Sequence, residues 1–318
     1  MIRYRIIKKI KYKILIRLSL HLRILRNLVY YILKIKFMAK NILIITDLDG
    51  TLLNFKNFEY KSILPFINTL TSKGVEIVLC SSKCYQEIIQ INNGLNLISP
   101  FIVENGSAIY FPKKTFLKRP ANSTEKDNYW EIVLGTPRDE ISKKIRSNTF
   151  KKYLKYVLFL KNMTKLQQAY YTGLKSDALD VTLERNFSEP LIWMGTNKEL
   201  INFKKELNEE SMDLNTGARL LHLTGLNTKG DALKELLQFL NILNYFNNSD
   251  EIVTIACGDS ENDISMMEIS DYAVVVRLPD KKNITLKRTV NVFNSKNVAP
   301  IGWRESLEEI DIIREIIK

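Results

Sequence analysis

Two aspartates one residue apart, Asp47 and Asp49, follow directly on an apolar run. Residues 42–45 are four consecutive aliphatic residues, a pattern typical of a strand buried on both faces of a parallel sheet. Such a strand delivers the residues after it to the carboxyl edge of the sheet, where open α/β folds bind ligands. One carboxylate can attack phosphorus and help to hold a divalent cation, while the other gives a proton to the leaving oxygen. The alternative interpretation is an Asp-Gly turn between two strands.

A second polar segment, Ser81 and Ser82, follows the predicted strand at residues 75–80 and begins a predicted helix. Hydroxyls and unpaired backbone amides at that point stabilise a bound anion. The alternative is an ordinary serine cap of the helix.

Two more segments complete the set of candidates. Lys229 stands at the start of a predicted helix, where its ammonium can neutralise a phosphoryl group, or lie solvated at the surface. The predicted strand at residues 252–257 ends in a cluster of acids that includes Asp259 and Asp263, together with Asn262. Such a cluster suits a hard cation such as magnesium, and the alternative is an Asx-rich turn and helix cap.

Apolar runs alternate with helical patterns beyond residue 40, which predicts an α/β fold with a doubly wound, mostly parallel, Rossmann-like sheet. Residues 113–128 are polar and contain Pro120, which favours a linker into an inserted α/β cap domain. Strand patterns at 129–134, 190–194 and 219–224 belong to this insert. We therefore expect a leader at 1–37, a core at 38–113 and 222–318, and a cap at 114–221.

Composition is that of a globular protein, with 318 residues and 45% hydrophobic content. Three cysteines are too few for a disulfide scaffold and favour a reducing, cytoplasmic setting. The net charge of +12 belongs entirely to residues 1–40, which hold twelve Lys or Arg and no acid. The charge balance of the remaining chain therefore gives no reason to expect nucleic acid as a partner.

The basic leader is open to several interpretations. It can lie on an anionic membrane as an amphipathic helix, or contact nucleic acid, or be upstream sequence translated in error, with Met38 as the true start. Arg17, Arg23 and Arg26 interrupt every stretch that approaches the length of a membrane span. Oligomeric state is not predictable from this sequence.

The order and placement of these segments resemble the four-motif signature of the haloacid dehalogenase-like hydrolase superfamily. The insert corresponds to the type IIB cap of that superfamily. The residues that carry the resemblance are Asp47-x-Asp49-x-Thr51, Ser81, Lys229 and Gly258-Asp259-x-x-Asn262-Asp263.

Other segments are similar to the mannosyl-3-phosphoglycerate phosphatase family within this superfamily. They are Ser81-Ser82-Lys83, residues 100–106, residues 185–190 and residues 219–225. This resemblance implies a magnesium-dependent phosphatase that makes mannosylglycerate, a compatible solute. Glucosyl-3-phosphoglycerate is the competing substrate, because the two sugars differ only in the orientation of one hydroxyl.

The resemblance also implies roles for the core residues. Asp47 forms an aspartyl-phosphate, and Asp49 protonates the leaving oxygen and later activates water. Magnesium is held by Asp47, the backbone carbonyl of Asp49 and Asp259, with Asn262 and Asp263 ordering the surroundings. Residues that bind the phosphoryl oxygens are Ser81, Ser82 and Lys229.

In the cap, Arg185 is our first choice for the glycerate carboxylate, since a guanidinium grips a carboxylate through two hydrogen bonds. The alternative is a surface ion pair with Glu184, Glu189 or another acid. Ser188 and Glu189 are candidates for sugar hydroxyls. Arg219 with His222 is a further candidate pair, although a histidine in an apolar strand is commonly structural.

The sequence is therefore compatible with three functions. The first is the sugar-phosphoglycerate phosphatase or another sugar-phosphate phosphatase, with a small sugar phosphate as partner. The second is a phosphohexomutase, which passes the phosphoryl group to a second sugar hydroxyl. The third is a non-catalytic interaction protein with a basic tail.

Overall fold

The computed structural model describes residues 41–217, 219–246, 252–279 and 281–318. The predictions for the leader at residues 1–37 lie outside the described residues. In the part of the chain that is described, no helix is both long and apolar enough to cross a bilayer.

Thirteen strands are present in the described ranges. In chain order they are β1 (Asn41–Thr46), β2 (Glu76–Cys80), β3 (Phe101–Val103), β4 (Ala108–Pro112), β5 (Thr124–Lys126), β6 (Tyr129–Val133), β7 (Val157–Phe159), β8 (Glu189–Trp193), β9 (Met212–Thr216), β10 (Leu221–Gly225), β11 (Ile252–Gly258), β12 (Tyr272–Arg277) and β13 (Val292–Val298).

The α-helices of the same ranges are α1 (Leu64–Ser72), α2 (Tyr85–Gly94), α3 (Arg138–Lys144), α4 (Lys165–Thr172), α5 (Ser176–Leu183), α6 (Asn197–Glu209), α7 (Lys229–Ile242), α8 (Ile264–Ile269), α9 (Ile301–Glu309) and α10 (Asp311–Ile317).

A nine-stranded sheet in the order β13-β12-β11-β1-β2-β3-β4-β6-β5 is the larger of two sheets in the described ranges. The pairs β1–β2, β2–β3, β11–β12 and β12–β13 are parallel, and the pairs from β3–β4 outward to β5 are antiparallel. The predicted α/β fold with a mostly parallel sheet is confirmed.

Strand β1 is buried on both faces, as the sequence predicts. Ile42 and Ile44 pack into one apolar layer, and Leu43 and Ile45 pack into the layer on the opposite face. Because both layers close over β1, its carboxyl end is held rigidly at the middle of the sheet edge. That edge is where Asp47 begins.

A second, four-stranded antiparallel sheet has the order β7-β8-β10-β9. We call residues 137–225, which carry this sheet, the insert. Its own apolar core includes Phe150, Leu191, Phe203 and Leu223.

The strand pairing differs from the predicted division of the chain in two places. β5 and β6, expected in the cap, pair with the larger sheet, because the polar segment after β4 turns back as an antiparallel hairpin beside it. β10 pairs with β8 and β9 of the insert, as the strand pattern at 219–224 predicts, and so extends beyond residue 221, the predicted end of the cap. The predicted domain boundaries themselves stay a prediction.

Candidate active site

Lys229 is the buried centre of the candidate site. Its Nζ donates to Asp47 Oδ1 and to Asp263 Oδ1, each at 2.6 Å. Lys229 opens α7, Asp47 follows β1, and Asp263 follows β11, so three chain segments meet at one ammonium. Burial alone lowers the pKa of Lys229, but the two carboxylates outweigh it and raise the pKa above its usual value. The lysine is therefore a permanent positive charge in the interior.

Asp47 lies at the sheet edge with its backbone N–H bonded to the carbonyl of Cys257 at 2.9 Å. Burial raises the pKa of the Asp47 carboxyl to about 6, and the attraction of Lys229 only partly offsets this rise. Above that pH the side chain is an anion with little water around it. Such a carboxylate is a competent nucleophile.

Asp259 faces the same point from the loop after β11. Its Oδ1 accepts a hydrogen bond from Thr51 Oγ1 at 2.6 Å, while its Oδ2 is buried without a partner. Burial, followed by repulsion from Asp47 and Asp263, raises the pKa of Asp259 well above its ordinary value. Gly50, at φ +95°, lets the loop pass close to Leu278 and Asp259, because a Cβ there would lie 2.6 Å from Leu278 Cδ2 and 3.3 Å from the Asp259 carboxylate.

The three carboxylates Asp47, Asp259 and Asp263 offer oxygens within 4.8 Å of one another. A buried oxygen without a partner, beside two other carboxylates, is a donor set that suits a hard cation such as Mg²⁺. Asp263 has both oxygens occupied, because its Oδ2 also accepts from the backbone N–H of Asp259 at 3.0 Å. This position fits the supporting role predicted for Asp263, and Asp47 and Asp259 fit the role of ligands.

Asn262 lies next to this cluster and donates to Asn105 Oδ1 at 2.8 Å. Asn105 adopts a left-handed conformation with φ +60° in the turn after β3. Asn105 has no role assigned from the sequence, where its position at the end of a buried strand is the available signal.

The two serines after β2 occupy different positions. Ser81 is buried, and its Oγ accepts from the backbone N–H of Lys83 at 3.3 Å. Ser82 lines the candidate cavity, and its carbonyl accepts from Arg185 Nη1 at 2.7 Å. The hydroxyl of Ser81 is thus used locally to hold the turn that begins α2.

A cavity of about 50 Å³ lies between the edge of the larger sheet and the insert. It is lined from the sheet side by Asp47, Asp49, Ser82, Lys83 and Asn262, and from the insert by Arg185, Arg219 and His222. Seven of the residues predicted from the sequence therefore line this cavity: Asp47, Asp49, Ser82, Asn262, Arg185, Arg219 and His222. Lys229, Asp259 and Asp263 lie beside it through their contacts to Asp47, whereas Ser81 does not line it.

Lys83 is a site residue that the sequence analysis quoted in a motif without giving it a role. Its Nζ lies 2.7 Å from Asp49 Oδ2. The position directly after the Ser81-Ser82 pair was the only signal in the sequence.

Arg185 is buried, and most of its donors are already used by the protein. Nε donates to the carbonyl of Thr182 at 3.0 Å, and Nη1 donates to Ser188 Oγ at 3.2 Å as well as to Ser82. Nη2 lies 3.5 Å from Glu87 Oε2. The guanidinium therefore lies in a buried ion pair with Glu87, and it does not present two free N–H groups to a ligand carboxylate.

Ser188 and Glu189 are turned to different partners. Ser188 donates to Glu104 Oε2 at 2.6 Å. Glu189 accepts from Arg138 Nε at 2.7 Å and also pairs with Lys161. Glu189 lines a different depression and not the candidate cavity, because these two cations hold it there.

Arg219 and His222 face the cavity from the insert. The Arg219 guanidinium lies over the rings of Phe55 and Phe58 at 4.9 and 4.8 Å, and its Nε is buried without a partner. His222 is 5% exposed, and its Nδ1 also has no partner. Burial, followed by repulsion from Arg185, lowers the pKa of His222 well below its ordinary value, so the imidazole is neutral at pH 7.

This geometry can be compared with known proteins. A family model described as haloacid dehalogenase-like hydrolase matches residues 44–296. The chain belongs to this family. The match confirms the superfamily that the four motifs indicate, and all four lie within the matched residues.

A curated relative from Persephonella marina is named glucosyl-3-phosphoglycerate/mannosyl-3-phosphoglycerate phosphatase. It is 29% identical over 267 residues, which cover 84% of this chain and 96% of the relative. This similarity supports the narrower family resemblance. With the family match, it also supports the predicted enzyme class, a phosphoric monoester hydrolase.

Solved structures show the same fold. A haloacid dehalogenase-like hydrolase from B. subtilis superposes with a TM-score of 0.55 at 18% identity, covering 86% of this chain and 98% of the other. A haloacid dehalogenase-like hydrolase from Bacteroides thetaiotaomicron gives 0.55 at 17% identity, covering 87% and 100%. At these identities the likeness concerns the fold alone.

Proposed function

We propose that this protein is a magnesium-dependent phosphatase that hydrolyses glucosyl- or mannosyl-3-phosphoglycerate to the glycosylglycerate and phosphate. The observation that carries the proposal is the buried Asp47 carboxylate, which contacts Lys229, clusters with Asp259 and shares its cavity with Asp49. The name of the Persephonella marina relative supports this choice of substrate.

The reaction begins at Asp47. Its carboxylate oxygen forms a bond to phosphorus while the bond from phosphorus to the ester oxygen breaks, which gives an aspartyl-phosphate. Asp49 delivers a proton to the departing oxygen. It then takes a proton from a water that attacks phosphorus, and this step frees Asp47.

Neighbouring cations stabilise the negative charge that Asp47 and the phosphoryl group bring together in this reaction. Lys229 keeps its proton and offsets the charge shared by Asp47 and the phosphoryl group. Asp47 and Asp259 are the side chains that would hold Mg²⁺, with Asp263 fixing the loop behind them. When bound, Mg²⁺ supplies positive charge that stabilises the crowded phosphoryl oxygens.

The insert side of the cavity favours a substrate with a second anionic group. Among the described residues, no carboxylate lies within ion-pair distance of Arg219, yet its guanidinium faces the cavity. Arg219 is half-buried, and its Nη1 and Nη2 donate to the carbonyls of Thr172 and Phe55, while Nε has no partner. An anionic ligand would supply the opposite charge that these carbonyls do not. The carboxylate of a phosphoglycerate ester supplies one, whereas a simple hexose phosphate does not.

A substrate panel tests this proposal. Phosphate release would be measured from mannosyl-3-phosphoglycerate, glucosyl-3-phosphoglycerate and glucose 6-phosphate, each with Mg²⁺ and with excess chelator. We expect faster release from the two glycerate esters and loss of release with chelator. Absence of phosphate release from every ester, or release that chelator leaves unchanged, would contradict the proposal. Assay of sugar isomerisation in the same mixtures separates a mutase from a phosphatase.

A further inference from the structure

Lys83 is a buried cation between the larger sheet and the insert. Its Nζ lies 2.7 Å from Asp49 Oδ2 and 3.6 Å from Glu87 Oε1, and its side chain is 9% exposed. The ring of Phe58 lies 5.2 Å from the same nitrogen. The mechanism described above uses none of these contacts.

Glu87 connects this lysine to the insert. It stands in the first turn of α2, and its Oε1 accepts from Thr182 Oγ1 of the insert at 2.9 Å. Its Oε2 lies 3.5 Å from Arg185 Nη2. Four buried or half-buried charges therefore alternate in sign from the sheet edge to the insert, in the order Asp49, Lys83, Glu87, Arg185.

Lys83 and Glu87, the two middle residues of this series of charges, stay ionised. Burial lowers the pKa of Lys83, but Asp49 and Glu87 outweigh it and the pKa is raised. Burial raises the pKa of Glu87, but Lys83 and Arg185 outweigh it and lower the pKa to about 2. Opposite charges held this closely fix each other's side-chain geometry.

We propose that Lys83 is a positioning residue for proton transfer by Asp49, and that Glu87 and the insert residue Arg185 hold Lys83 in place. The proposal rests on the proposed function, because it takes Asp49 as the acid and base. Lys83 donates to Oδ2 of Asp49 and leaves Oδ1, which is buried and has no partner, for the transferred proton.

The step balances without a proton from the lysine. The proton on Asp49 Oδ1 passes to the ester oxygen as the bond from phosphorus to that oxygen breaks, and Lys83 remains an ammonium throughout. The contacts that the insert makes to Glu87 thus help to fix the position of Asp49, which lines the sheet side of the cavity.

Leaving-group dependence distinguishes this role from a structural one. A sugar-phosphoglycerate ester releases an alkoxide, which needs a proton, whereas p-nitrophenyl phosphate releases a stable phenolate that does not. The parameter kcat/KM reports the steps up to cleavage of the ester bond. Misplacement of the acid therefore lowers kcat/KM for the alkyl ester selectively.

The experiment compares wild type, Lys83→Met and Lys83→Arg on p-nitrophenyl phosphate and on the glycosyl-3-phosphoglycerate that wild type hydrolyses faster. We expect Lys83→Met to lower kcat/KM for the alkyl ester by about 10²-fold and to change the aryl ester little. Lys83→Arg keeps the charge, so we expect it to retain much of the wild-type kcat/KM for the alkyl ester. Lys113→Met removes an ion-paired lysine remote from the cavity and leaves both values unchanged.

A double variant separates the loss of the contact to Asp49 from a loss of folding. Lys83→Met leaves two acids facing each other, whereas Lys83→Met combined with Glu87→Gln keeps the set of charges neutral and removes the same contact to Asp49. Circular dichroism establishes that each variant is folded. Equal losses on both esters in folded variants, or an unchanged alkyl rate, would overturn the proposal. Failure of wild type to hydrolyse any ester would instead overturn the proposed function, and this inference with it.

Discussion

At the scale of single residues, the Asp259 carboxylate holds Thr51 through one oxygen and leaves the other oxygen for a cation. Its Oδ2 is buried without a partner, and its pKa is raised mainly by burial. We predict that Asp259→Asn raises the Mg²⁺ concentration needed for half-maximal phosphate release by at least about tenfold.

The measurement for this prediction is a Mg²⁺ titration of phosphate release. Asp271→Asn is the matched control, since Asp271 accepts from Thr254 at the start of the neighbouring strand and lies outside the cavity. An unchanged magnesium requirement in the Asp259 variant would remove this residue from the metal site.

The sequence predicts single residues well where they follow buried strands. Asp47 and Asp259 meet because the strands before them, β1 and β11, end at one edge of the larger sheet, and Lys229 reaches the same point from the first turn of α7. Lys83 and Glu87 could not be assigned in this way. Their roles depend on contacts to the insert, which a strand-and-helix pattern does not locate.

At the scale of elements, α2 and α5 are joined by a buried acid. Glu87 on α2 accepts from Thr182 on α5, and two cations outweigh burial to hold its pKa at about 2. A carboxylate with a lowered pKa stabilises the fold above its unfolded value of 4.5 and loses that contribution as the pH falls toward 2. The difference in unfolding free energy between wild type and Glu87→Gln should therefore shrink by on the order of 2 kcal/mol from pH 7 to pH 3.

Urea unfolding at the two pH values measures this difference. Glu184→Gln removes an exposed acid next to Arg185 and serves as the control, for which we expect a small effect at both pH values. A Glu87 difference that does not change with pH would show that the carboxylate is not held by these cations.

Prediction of the elements succeeded for the central strands and, in the insert, for β8 and β10, which match the strand patterns at 190–194 and 219–224, but it missed β7 and β9. Residues 42–45 carry an unbroken apolar run, so β1 is recognisable, but β7 is only three half-buried residues long and has no such signal. The sequence pattern at residues 137–156 predicts one continuous helix, but α3 ends at Lys144, because the next residues form turns that pack Phe150 into the insert core. Tertiary packing overrides local pattern at these points.

At the scale of the whole molecule, all the residues assigned to the site lie between positions 47 and 263. We predict that removal of residues 1–37 leaves phosphate release intact, since β1 begins at Asn41 and the family match begins at residue 44. Steady-state rates of the shortened and full-length proteins, with circular dichroism of each, make the comparison. A large loss of turnover with unchanged folding would count against the leader being upstream sequence without a role.

The central claim is that Asp47 becomes transiently phosphorylated, and the most direct test is phosphate release by Asp47→Asn in the presence of Mg²⁺. The amide has nearly the same shape but cannot attack phosphorus, so we predict a fall in kcat of at least about 10³-fold while the protein remains folded. A folded Asp47→Asn variant that releases phosphate at nearly the wild-type rate would contradict the account.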